Sequence, residues 1–116
     1  MSEREVALLL QDMLESIQYI NDFTKGLSYE EYENDLKTRY AAERSFEIIG
    51  EAAARVPEDF KKKYQQIKWR EVKDFRNILA HEYFGLDNSV IWNIIHFDLP
   101  ELENEIKSLL KILNYE

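Results

Sequence analysis

Apolar side chains recur every three or four residues along most of the chain, the period of helices that bury one face. Val6, Leu9, Leu10, Met13, Leu14, Ile17 and Ile20 keep that spacing as far as Phe23. Ser2 and Glu5 precede them in capping-box register, and Gly26 suits the left-handed residue that stops a helix. Ser28 and Glu31 repeat the capping pattern, and Asn34 or Asp35 can cap a longer helix behind them. The pattern predicts an apolar face on that helix from Leu36, Tyr40, Ile48 and Ala52, widened by Phe46, Ile49, Ala53 and Val56. Pro57 ends it.

Residues 58–70 are polar and Lys-rich, a short helix and a connector ending near Trp69. A helix from Glu71 to Tyr83 should turn Val72, Phe75, Ile78 and Leu79 inward. Gly85 to Ser89 is a break, with Asp87, Asn88 or Ser89 as the next cap. The last apolar stretch runs from Val90 to Leu113. Pro100 must kink or split it, because proline has no N–H for the carbonyl of His96. The expected fold is all-α: one domain over residues 1–116, an antiparallel bundle of four main helices with short accessory ones.

Composition narrows the function. The 116 residues contain no cysteine, which removes disulfide scaffolds, thiolate nucleophiles and Cys-ligated metal sites. No apolar run approaches the roughly 20 residues of a membrane helix, and the N-terminus lacks the apolar stretch of a signal peptide. A cytoplasmic protein with no membrane partner is the expectation. The net charge of −8 argues against a surface that wraps nucleic acid all round. Yet between positions 61 and 76 seven basic residues face only Glu71 and Asp74, leaving −13 for the rest of the chain. That segment is either a solvated Lys-rich loop or a local guide for a polyanion.

The candidates for nitrogen-centred chemistry are the two histidines, His81 and His96. Neither has a glutamate three residues before it, and His81-Glu82 is not followed by the second histidine of a zinc protease. The glycines stand too far apart for a phosphate loop, so no cofactor is expected. His96, among Ile94, Ile95 and Phe97, is read as a structural histidine. Glu43, Glu47 and Glu51 lie at i, i+4 and i+8, a solvated or salt-bridged stripe from which one carboxylate could support Arg76.

The run Arg76-Asn77-Ile78-Leu79-Ala80-His81-Glu82-Tyr83 remains. On an α-helix Asn77 aligns with His81, and Arg76 aligns with Tyr83 on a neighbouring stripe. Such a patch suits phosphodiester chemistry. Arginine grips phosphate oxygens through paired donors, a histidine titrating near neutrality exchanges protons with a ribose hydroxyl, and asparagine orients either group. The plainer alternative is a helix-terminal histidine capping carbonyls, an arginine in a surface ion pair, and a tyrosine in the core.

Arg76-x4-His81-x-Tyr83 resembles the motif of HepT-like toxins, within the HEPN superfamily of helical domains. Ile49-Gly50-Glu51-Ala52-Ala53, Trp69-Arg70-Glu71-Val72, His81-Glu82-Tyr83-Phe84 and Val90-Ile91-Trp92 follow the family's order, so the likeness covers residues 4–112. The resemblance implies a homodimeric HEPN-like bundle with the motif at the interface. It implies the toxin of a type VII-like toxin–antitoxin module, a metal-independent endoribonuclease cleaving RNA such as tRNA or mRNA. Arg76 would bind the scissile phosphate, His81 would be general base or acid for 2′-hydroxyl attack, and Asn77 would support both. The family's antitoxin, a nucleotidyltransferase of the MntA type, uses ATP to adenylylate the motif tyrosine, here Tyr83. The competing expectation is a non-catalytic HEPN module that docks a nucleotidyltransferase.

Overall fold

The computed structural model describes residues 1–77 and 88–115, and among them there is no strand. Helix α1 spans Glu3–Thr24. The Ser2 hydroxyl accepts the Glu5 N–H at its start, and Gly26 follows its end at φ +78°. Helix α2 is one short segment, Tyr29–Asn34, with the complete capping box of Ser28 and Glu31. Asp35 then caps α3, Leu36–Arg55, accepting the Thr38 N–H at 3.1 Å and the Thr38 hydroxyl at 2.7 Å. Pro57 stands at the junction with α4, Glu58–Lys63.

Helix α5 is Trp69–Lys73 and begins two residues earlier than its apolar pattern predicts. It tightens at once into a 3-10 turn, Asp74–Asn77. The rest of the helix expected to reach Tyr83 lies outside the described residues. Helix α6, Asn88–Asn93, leads into a π-helical turn, Ile94–Asp98, and then α7, Leu99–Ile112. Pro100 therefore does what its missing N–H demands. It sits in the first turn of α7, where an absent donor costs nothing, and the helix upstream loosens by one residue.

The core joins one face of α1 (Val6, Leu10, Met13, Ile17, Ile20) to α3 (Ala42, Phe46, Ile49, Ala53) and to α7 (Leu99, Ile106, Leu109). The molecule measures 42 × 28 × 19 Å, and 19 Å is two helix diameters. On so thin a body the described candidate residues Arg76 and Asn77 lie at the surface.

Two expectations about α3 need correction. Leu36 and Tyr40 do not belong to the buried face; they are 52% and 57% exposed. The start of α3 is held by polar bonds instead: the Asp35 cap, and an Arg39 guanidinium donating to the Glu33 carbonyl at 3.0 Å. Nor do the three glutamates form one solvated stripe. Glu43 is completely buried, Glu47 is half-buried and paired with Arg44 at 3.1 Å, and only Glu51 is exposed. A carboxylate taken that far from water needs a partner, and Glu43 has one.

Candidate ribonuclease site

Arg76 and Asn77 close the 3-10 turn, and both side chains are exposed. Their backbone is held from three sides. Trp69, buried at the start of α5, donates its indole N–H to the Tyr64 carbonyl at 2.8 Å and fixes where that helix begins. Val72 is buried, and Phe75 meets Phe46 of α3 edge-on with ring centroids 5.2 Å apart. The third support is Gly50. A Cβ built there would collide with the Arg76 backbone nitrogen and lie 2.9 Å from both its Cα and its Cβ. Only a residue without a side chain lets α3 press directly against the backbone of Arg76.

Trp69, Val72 and Phe75 thus hold the inner side of the segment, while Arg70, Lys73 and Arg76, each one position later, form a ridge. In α-helical geometry residues three apart are neighbours, and in a 3-10 turn they eclipse one another. None of Arg70, Lys73 and Arg76 makes an ion pair with a described residue. The suggested support of Arg76 by a glutamate of α3 is accordingly absent among the described residues, since Glu47 goes to Arg44. Arginine in this setting presents its donors to whatever anion arrives.

His81 and Tyr83 lie outside the described residues, so the expected alignment of Arg76, Asn77, His81 and Tyr83 is left to the sequence. What the structure adds is that the stretch reaches Asn77 as a 3-10 turn, not as continuous α-helix.

His96 is a structural histidine with a satisfied ring nitrogen, as its setting predicts, but it is not buried. Its ring is exposed, 4.1 Å from the Trp92 ring, and Nδ1 lies 2.9 Å from the Trp92 carbonyl. The widened π-helical turn carries the side chain outward while Ile95 stays buried. No group of three His, Asp or Glu side chains suited to a metal ion occurs among the described residues. None of the described helices is long and apolar enough to cross a membrane.

The sequence singles out Gly50 only as part of a family segment and Glu43 only as part of a polar stripe, and it assigns neither the place the structure gives it. The signal for Gly50 was present: a glycine inside a strongly helical pattern costs about 1 kcal/mol relative to alanine, so it marks a place where a side chain cannot fit. Glu43 had no such signal, because its spacing with Glu47 and Glu51 imitates a solvated face.

The described residues form a helical domain that holds Arg76 and Asn77 on an exposed turn, and the sequence sets His81 and Tyr83 four and six residues beyond Asn77. The family described as Ribonuclease HepT-like matches residues 13–109, and the chain belongs to it. It is 41% identical over 107 residues to "Putative RNase MJ1380" of Methanocaldococcus jannaschii, covering 92% of this chain and 98% of that one. It is 40% identical over 102 residues to "Probable ribonuclease HepT" of Thermococcus cleftensis, covering 88% of this chain and 93% of that one. It also matches, at 34% identity over 111 residues, half of "Gamma-glutamylcyclotransferase and putative RNase MJ0434" of Methanocaldococcus jannaschii. No solved structure matches the chain.

Proposed function

We propose that this chain is a metal-independent endoribonuclease and the toxin of a two-gene module. The observation that carries the reading is the pinning of the Arg76 backbone against Gly50, with its side chain exposed and in no ion pair with a described residue. Arg76 takes two oxygens of the scissile phosphate. His81 accepts the proton of the neighbouring 2′-hydroxyl. The 2′-oxygen bonds to phosphorus as the bond to the 5′-oxygen breaks, and the leaving oxygen takes a proton from a protonated imidazole. The products are a 2′,3′-cyclic phosphate and a free 5′-hydroxyl, with no water consumed and no redox change. Asn77 orients the ribose or the phosphate without adding charge. An open arginine on a thin molecule is poorly shielded from water, which favours a homodimer in which a second copy covers the turn and supplies the second imidazole.

Regulation follows from the same charge. A nucleotidyltransferase partner of the MntA type would transfer AMP from ATP to the Tyr83 hydroxyl, releasing pyrophosphate. The phosphate so placed competes with RNA for the guanidinium of Arg76.

The test is tRNA incubated in EDTA with protein made in the absence of any nucleotidyltransferase, beside His81→Ala and Arg76→Ala. Cleavage leaving cyclic phosphates is expected, reduced about 10²–10⁴-fold in His81→Ala. The intact mass should rise by one AMP only when an active nucleotidyltransferase is present, and not in Tyr83→Phe. Unmodified, dimeric protein that cuts nothing would instead identify a non-catalytic module that docks the nucleotidyltransferase.

A further inference from the structure

Where α4, the connector and α5 meet, the surface is indented by an open groove of about 350 Å³. Four cations, Lys61, Lys62, Arg70 and Lys73, line it together with one carboxylate, Glu58, and the buried Trp69. Lys61 is partly engaged by Glu58 at 3.6 Å. Lys62, Arg70 and Lys73 make no ion pair with a described residue. Three uncompensated cations are thus gathered on a chain whose net charge is −8, and the Arg70–Lys73–Arg76 ridge leads from the groove to the candidate site.

We infer that this groove binds the phosphodiester backbone of single-stranded RNA next to the scissile bond and delivers it along the ridge to Arg76. The inference rests on the ribonuclease reading for its direction, and on the groove's own charge for its ligand. The rest of the chain is acidic on average, so among the described residues this groove favours contacts with a polyanion's backbone. Its cations contact phosphates and not base edges, so the groove adds affinity with little sequence preference. The protein therefore acts on strands of several nucleotides much better than on dinucleotides.

The probe is a fluorescent 12-nucleotide 2′-O-methyl RNA, which lacks the attacking hydroxyl and cannot be cut by this chemistry. Its affinity would be measured by anisotropy over a salt series for three proteins. These are wild type, the groove variant Lys62→Gln/Arg70→Gln/Lys73→Gln, and a charge control, Arg4→Gln/Lys25→Gln/Arg55→Gln, whose side chains are all exposed. The groove variant should bind at least about tenfold more weakly at low salt. The slope of log K against log salt should be shallower by about 2, because each contact contributes roughly 0.7 on single strands. The control should stay within about twofold of wild type.

Three results would overturn the inference: no binding by wild type, equal losses in groove and control variants, or displacement of the probe by millimolar inorganic phosphate, the mark of a simple anion site. Cleavage of unmodified RNA of the same sequence is read separately. Groove-dependent binding without cleavage by wild type removes the ribonuclease reading and keeps the groove. Cleavage with binding that ignores the groove residues removes the groove alone.

Discussion

At Gly50 a single missing side chain decides whether Arg76 is positioned at all. In an exposed helix interior, replacing glycine by alanine stabilises by up to about 1 kcal/mol, because the unfolded chain loses freedom. Here the added carbon would collide with the Arg76 backbone nitrogen, and neither backbone can yield without moving a packed helix. Gly50→Ala should therefore reverse the usual sign, costing about 1–3 kcal/mol, the range for overpacked sites. It should also lower RNA cleavage by more than the stability loss explains, since the 3-10 turn must shift. Urea unfolding together with cleavage rates under folded conditions checks both; a stabilised, fully active variant would refute the contact. The choice of glycine was visible in the sequence only as a helix breaker in a helical run. The reason for it, a backbone 26 positions away, was not.

At the scale of elements, caps place the helices and add a pH dependence to their stability. The Ser28 backbone N–H, followed by the Ser28 hydroxyl, holds the Glu31 carboxyl below the usual carboxylate range. The Thr38 hydroxyl, followed by the Thr38 N–H, does the same for Asp35. A folded-state value below the unfolded one means stability that is fully present above the ordinary carboxylate range and lost as pH falls toward the lowered values. The stability difference between wild type and Asp35→Ala should be largest near neutrality and shrink as the medium is acidified through that range. Denaturant midpoints at several pH values measure it. A gap that widens in acid would mean that the carboxylate is not the capping species. These caps were legible beforehand because they depend on residues three apart, whereas the split expected at Pro100 is a change from π-helical to α-helical winding without a gap. The tightening at Asp74 was not legible, because the period of Val72 and Phe75 suits an α-helix equally well.

At the scale of the molecule, a body 19 Å thick must either work from an open surface or borrow cover from another chain. The proposed dimer makes a direct prediction: light scattering should give twice the 13.9 kDa chain mass, and dilution to monomer should abolish cleavage before helicity is lost. Retention of full activity by a monomer would show that one copy shields its own site. Charge belongs to this scale as well. The basic run at 61–76 is an excess along the sequence, but only the meeting of α4 with α5 gathers Lys62, Arg70 and Lys73 around one groove.

The sequence by itself determined the helical class, the limits of α1 and α3, most of the core of α1 and the order of the candidate site residues. All of these are set by neighbours within about four positions, where hydrophobic period and capping chemistry act. The ordered motifs were enough to name the family. The tertiary structure decided what depends on the rotation and approach of whole helices. It buried Glu43 while leaving Leu36 and Tyr40 in water, turned His96 outward on a π-helical turn, and seated α3 against Arg76 through Gly50. Local spacing cannot set these, because each is fixed by which faces of distant segments exclude water together.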